Sequence, residues 1–175
     1  MSERFEYMGK LPAEQQAIRA KCFHPTGAFV EFSKEELEQS IPDRFEKIVR
    51  LYPDRIAVKV REQAFTYEAL NRQANRIAWS IYKTRGTRVE PVVLISQSEL
   101  NSIASCLGIL KAGKIPVIVD PSSPFDRVHY MVENSQAGVI VTESGGRSFA
   151  KRLTTNNLQL IDIDALDKNL SETNL

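Results

Sequence analysis

The clearest periodicity in the chain runs from Thr66 to Gly86, where Leu70, Ala74, Ile77, Ala78 and Ile81 recur at helical spacing among polar residues. Thr66 is placed to cap this helix and Gly86 to stop it. Ala69 stands where a capping box would have glutamate, so Glu68 can help only through the helix dipole. Just upstream, "RIAVKV", "REQ" and "AFTY" predict two short strands around a tight turn, with Ile56, Val58 and Val60 alternating against Ala57 and Lys59. Ser40 followed by Pro42 marks another helix start, with Phe45, Ile48 and Val49 on one face and an end near "YPD", because the residue before Pro53 is disfavoured in the helical region.

After Pro91 the pattern changes. Val92–Ser96, Ile115–Asp120, Gly138–Thr142 and Leu158–Ile163 are short β-branched runs. Leu100–Ala112, Phe125–Gln136 and Ser144–Leu153 lie between them and suit helices. Near-continuous apolar strands alternating with helices predict a parallel sheet covered on both faces and joined by right-handed crossovers. The fold class is therefore α/β, a parallel sheet of about four strands with flanking helices, preceded by a helical leader and a small β-hairpin. Three segments follow. Residues 1–39 are a wrapping leader with helical pieces at Ala13–Lys21 and Ser33–Gln39, the latter with a Ser33/Glu36 capping-box spacing. Residues 40–163 are the main domain, and 164–175 are a polar tail with nothing after it to pack against, read as part of a linker.

Composition narrows the function classes. The 175 residues hold 42% hydrophobic residues, enough for one core, and 23 Lys+Arg against 22 Asp+Glu give a net charge of +1, which offers no field to recruit nucleic acid or an anionic membrane. No apolar run approaches the roughly 20 residues of a spanning helix, and "MSERFEYMGK" has neither a secretory nor a transit pattern, so the expected location is cytoplasmic. The two cysteines stand far apart: Cys106 reads as a small core residue, and Cys22 with His24 forms a C-x-H pair without further ligands. His129 is alone as well, and Trp79 reads as a cover over core.

Parallel sheets bind ligands at the carboxyl ends of their strands, which points to Gln97–Glu99, Asp120–Pro124 and Thr142–Gly146. "SQSELNS" after the first strand lacks the glycines of a dinucleotide loop, which excludes a Rossmann redox reading. "TESGGRS", Thr142–Ser148, can turn backbone N–H groups toward an anion but has no lysine at Walker spacing, so it reads first as a flexible strand-to-helix loop. Asp120 lacks the acidic pair of a receiver domain and reads as a turn acid ahead of Pro121, with Arg127 as a potential partner. No catalytic, cofactor-binding or metal-ligating residue is assigned.

"SIPDRFEKIVRLYPDRIAVKV", "FTYEALNRQANRIA" and "GILKAGKIPVIVDPSSPFDRVHYMVENSQAGVIVT" resemble, in that order, the start of nonribosomal peptide synthetase adenylation domains, members of the adenylate-forming superfamily with acyl-CoA synthetases and firefly luciferase. The likeness covers about Ser40 to Thr142, and more weakly to Ile163. "FHPTGAFVEFSKEELEQSIPDRF" is similar to the opening of a stand-alone synthetase protein, so Met1 is read as a natural start.

The resemblance implies a partial N-terminal lobe of an enzyme that activates a carboxylic acid, usually an amino acid, with Mg-ATP and passes it to a carrier protein. It also implies that the lysine-bearing ATP loop, the acyl pocket and the C-terminal lobe lie elsewhere. This segment alone is then expected to be inactive, with no cofactor of its own, its partners being the remainder of the adenylation domain and, through uncovered apolar surface, itself. A non-catalytic interaction module or half of a split synthetase, and a flavodoxin-like ligand-binding domain, are the alternatives. One departure stands inside the matching motif: Pro116 lies two places earlier than the family's proline, which predicts a strand that starts differently there or pairs on one side only.

Overall fold

A computed structural model describes residues 12–13, 34–154 and 158–175. Beyond Ala13 the expected helix to Lys21, the Cys22/His24 pair and the Ser33 cap lie outside the described residues. Two units divide the chain, Met1–Gln39 and Ser40–Leu175. In the first, Lys34–Glu38 form a 3-10 turn where a helix from Ser33 to Gln39 was expected.

The second unit opens with α1 (Ile41–Leu51), whose Ser40 cap accepts from the Asp43 amide at 3.1 Å, with Pro42 in the first turn. The hairpin β1 (Ile56–Val60) and β2 (Gln63–Thr66) follows; Gln63 belongs to the strand, so only Arg61 and Glu62 make the turn, Arg61 at φ 53°. A register shift between Ile56 and Val58 breaks the expected alternation. It turns Ile56 outward, 61% exposed, while Ala57 and Val58 pack on the core. Helix α2 (Tyr67–Arg85) runs as expected: Thr66 accepts from the Ala69 amide at 3.1 Å, Leu70, Ala74, Ile77, Ala78 and Ile81 are buried, and Gly86 ends the helix at φ 61°. Burial of side chains such as Ile77 and Ile81 stabilises the fold by about 1.5–3 kcal/mol each.

Four parallel strands form the sheet in the order β4-β3-β5-β6: β3 (Pro91–Ile95), β4 (Ile115–Val119), β5 (Val139–Thr142) and β6 (Gln159–Asp162). Helix α3 (Glu99–Lys111) joins β3 to β4, α4 (Phe125–Ser135) joins β4 to β5, and α5 (Arg147–Leu153) joins β5 to β6. Alternation along the strands makes two cores. Val92, Leu94, Val139, Val141 and Ile161 meet α2 and α3, whereas Val93, Ile95, Ile140 and Val119 meet α4 and α5. The expected double cover is incomplete at β4, where Ile115 and Ile118 are 51% and 57% exposed.

That same strand explains Pro116. β4 is an edge of the sheet and pairs only with β3; the Ile115 amide donates to Glu90 O at 3.1 Å, so odd positions point their amides at β3. Position 116 faces the other way. A proline there removes no ladder bond and blunts the free edge.

The amino end of the sheet is held by charge. Arg85 donates to Glu90 at 2.9 and 2.8 Å, and Lys114, whose side chain is fully buried, donates to Arg88 O and lies 3.4 Å from the same carboxylate. The end of α2 and the starts of β3 and β4 thus share one anion.

The closing residues are not a free tail. Ile163–Ala165 form a 3-10 turn, Leu170 is buried, and Trp79 on α2 donates from its indole to Thr173 O at 2.9 Å. Trp79 therefore grips a strand of backbone as well as stacking edge-on against Tyr82.

Candidate functional site

Neighbouring strands β3 and β5 send their connections to opposite faces, β3 into α3 and β5 into α5, so the topological switch point lies between their carboxyl ends. This is where an open parallel sheet places a ligand. Here it brings together Ser96, Gln97 and Ser98 with Glu143, Ser144, Gly145 and Gly146, two of the three expected loops.

Glu143 fills the crevice. The buried carboxylate accepts from the Gln97 amide at 2.5 Å and from Ser96 Oγ at 2.6 Å, tying the ends of β3 and β5 together. The second half of "TESGGRS" is pinned rather than flexible. The Ser144 amide donates to Asp164 at 2.9 Å, its hydroxyl to Asp162 at 3.0 Å, and the Gly146 amide to Glu143 O at 2.9 Å. A Cβ on Gly146 would stand 2.3 Å from Thr142 Oγ1, so a larger residue at the turn into α5 requires the Thr142 side chain to move. The Gln97 and Ser144 amides thus serve carboxylates of the chain itself, and the Gly146 amide a main-chain carbonyl.

The remaining sequence candidates lie apart. Asp120 accepts from the Ser122 amide at 2.8 Å, a bond that lowers its pKa, and its carbonyl accepts from Ser123 at 3.1 Å; Arg127 is not its partner. His129 lies 3.4 Å from Glu133 on the exposed side of α4, and Cys106 is half-buried against the α2/α3 core, where burial raises its pKa. Among the described residues no group of His, Cys, Asp and Glu is placed to hold a metal ion.

A nucleoside triphosphate does not fit this crevice. Polyphosphate binding needs cations and free N–H donors, and the switch point instead presents Glu143, with Asp162 and Asp164 beside it. Arg147, at 3.8 Å, leans on Asp162. Sequence reasoning found the loop but not its plug: a glutamate after a β-branched run carries no signal until the strand order places Ser96 and Gln97 opposite it. Because hydrogen bonds to a charged group contribute about 1.5–3 kcal/mol and neutral ones about 0.5–1.5, Glu143→Gln, which loses the charge while its amide can still donate to Ser96 Oγ as that hydroxyl turns to Ser98 O at 2.9 Å, is expected to destabilise the chain by about 1 kcal/mol in urea unfolding.

The architecture defines a class, a lobe of the adenylate-forming fold. The nonribosomal peptide synthetase FmoA3 superposes with a TM-score of 0.69 and 27% identity, over 77% of this chain and 14% of that one. A fatty acid AMP ligase from Legionella pneumophila shares the fold at a TM-score of 0.66 and 24% identity, over 81% of this chain and 26% of its own. Tyrocidine synthase 3 of Brevibacillus parabrevis is 32% identical over 167 residues, which is 94% of this chain and 2% of the synthase; bacitracin synthase 2 of Bacillus licheniformis is 37% identical over 105 residues, 59% of this chain and 4% of the synthase. The AMP-binding enzyme family matches residues 45–174, and the chain belongs to that family as an N-terminal part of a nonribosomal peptide synthetase adenylation domain. No helix among the described residues is long and apolar enough to cross a membrane.

Proposed function

We propose that this chain is the scaffold portion of an amino-acid-adenylating domain and does not adenylate by itself. The observation that carries the reading is the sealed switch point: Glu143 and the Asp162/Asp164 pair consume the donors that an incoming phosphate would use. In the complete domain, Mg-ATP and the acyl group would then be held by parts of the protein outside these residues, and the activated acyl group would pass to a carrier-protein thiol. FmoA3 has been captured with AMPPNP, which supports ATP as the nucleotide of such a domain. The second reading, one half of a split synthetase, is favoured by the exposed Ile115 and Ile118 on the edge strand, apolar surface of the kind a partner covers.

ATP–pyrophosphate exchange with the proteinogenic amino acids separates these. The purified chain is expected to give no exchange above the buffer rate. Exchange by the chain alone overturns the proposal. Exchange that arises only on mixing with the separately expressed remainder of an adenylation domain supports the split form.

A further inference from the structure

Helices α2 and α3 enclose polar side chains that neither core uses. Asn75 is fully buried, Asn71 nearly so, and the Lys111 side chain is 1% exposed, where it also pairs with Glu46. All three donate to one acceptor, the side-chain oxygen of Asn174: Asn75 Nδ2 at 3.0 Å, Lys111 Nζ at 3.2 Å and Asn71 Nδ2 at 3.3 Å. Three donors on one carbonyl oxygen exceed its two lone pairs. The Oδ1 atoms of Asn71 and Asn75, shut off from solvent, have no hydrogen-bond partner. A cluster with donors converging on one point and spare acceptors beside it suits a carboxamide, which supplies an acceptor and two donors, better than a carboxylate, which supplies acceptors only.

Around this point the segment is held by its main chain. Asn75 Nδ2 donates to Glu172 O at 2.6 Å, Trp79 Nε1 to Thr173 O at 2.9 Å and Arg76 to Asp167 O at 3.4 Å, while Leu170 is buried. Main-chain contacts are indifferent to sequence. Identity is read only at Leu170, by burial, and at Asn174, by the polar pocket; Glu172 and Thr173 point to solvent.

We propose that the Asn71/Asn75/Lys111 pocket is a receptor for an extended peptide segment of the form Leu-x-x-x-Asn, and that Asp167–Leu175 is its resident occupant, a strap latched on α2 by the Asn174 carboxamide. The strap fixes where the chain leaves α2 and α3, and its release bares the pocket.

Hydrogen exchange on the full chain tests this. Asn174 is itself exposed, so alanine there leaves no cavity and folding is retained. Asn174→Ala is expected to speed exchange of the amides of residues 168–175 about tenfold, with those of α2 and β3 unchanged, whereas Glu172→Ala leaves the strap as protected as in the parent. A synthetic peptide of residues 167–175 added to the Asn174→Ala chain is expected to shift Trp79 fluorescence. The same peptide with alanine at its Asn174 position should not. Unchanged strap exchange in Asn174→Ala, or equal responses to the two peptides, overturns the proposal.

Discussion

Glu90→Gln is expected to lower the stability of the chain by about 2–4 kcal/mol at pH 7, and the deficit should shrink as the solution is acidified. The reason is the arrangement at the amino end of the sheet. One nearly buried carboxylate faces two cations, Arg85 at 2.8 Å and the fully buried Lys114 at 3.4 Å. The hydrogen bonds from Arg85, reinforced by its charge and by Lys114, hold the Glu90 pKa down to about 2, from an ordinary 4.5. A depressed carboxylate contributes stability that is fully present above its unfolded-state pKa and lost as pH falls through the folded-state value, so the window here runs from about 4.5 down to about 2. Glutamine keeps the shape and removes the charge, leaving Lys114 with carbonyl partners alone. Breaking a buried pair in this way costs about 3–5 kcal/mol, and the quarter-exposed Arg85 guanidinium can recover part of that by turning to water. Urea unfolding of both proteins at pH 7, 5, 4 and 3 checks the claim. Parallel stability curves across that range would show that the Glu90 charge is not what holds the strand starts together.

The same network marks the limit of what the chain's pattern discloses. Helix α2 and the four strands were legible because burial leaves period 3.6 or an unbroken β-branched run in the sequence, and one residue at a time is enough to see it. Arg85, Glu90 and Lys114 look, in sequence, like ordinary polar punctuation around element ends. They become one network only when right-handed crossovers return β4 beside β3. Glu143 was hidden for the same reason, since Ser96 and Gln97 lie 47 and 46 residues away. The hairpin itself was legible but the phase of its first strand was not: a bulge changes the alternation, so Ile56 looked like core and is not. Residues 164–175 read as linker because their few apolar positions carry no period. What seats them is Leu170 and a set of hydrogen bonds from α2, and hydrogen-bond partners leave no trace in a hydropathy pattern.

Gly108 is a further position of this kind, and substituting it is expected to have a comparably large effect. The helix α3 crosses α2 where Gly108 faces Ala74 and Ile77, and a Cβ built on Gly108 would stand 2.8 Å from Ala74 O and 2.8 Å from both Cβ and Cγ2 of Ile77. Two of those contacts are to a backbone oxygen and to a β-carbon fixed by its own helix, so no rotamer change relieves them. The helices must separate. Ile77 and Ile109 belong to the core between these helices and the sheet, and any separation opens packing along Val92, Leu94 and Val141 as well. Overpacking of this kind costs about 1–3 kcal/mol. Alanine would also recover about 1 kcal/mol through its better helix propensity, so Gly108→Ala is expected to lose about 1–2 kcal/mol and Gly108→Val about 3 kcal/mol or more. At about 2–4 °C per kcal/mol for a chain of this size, valine should lower the melting temperature by about 6–12 °C. Gly86→Ala is the contrasting case, because nothing lies within 4 Å of its added Cβ and the cost is confined to a positive φ of 61°. Thermal unfolding of the three variants separates close approach from backbone strain: if Gly86→Ala proved more damaging than Gly108→Val, the tight crossing of α2 and α3 would not be what glycine serves at position 108.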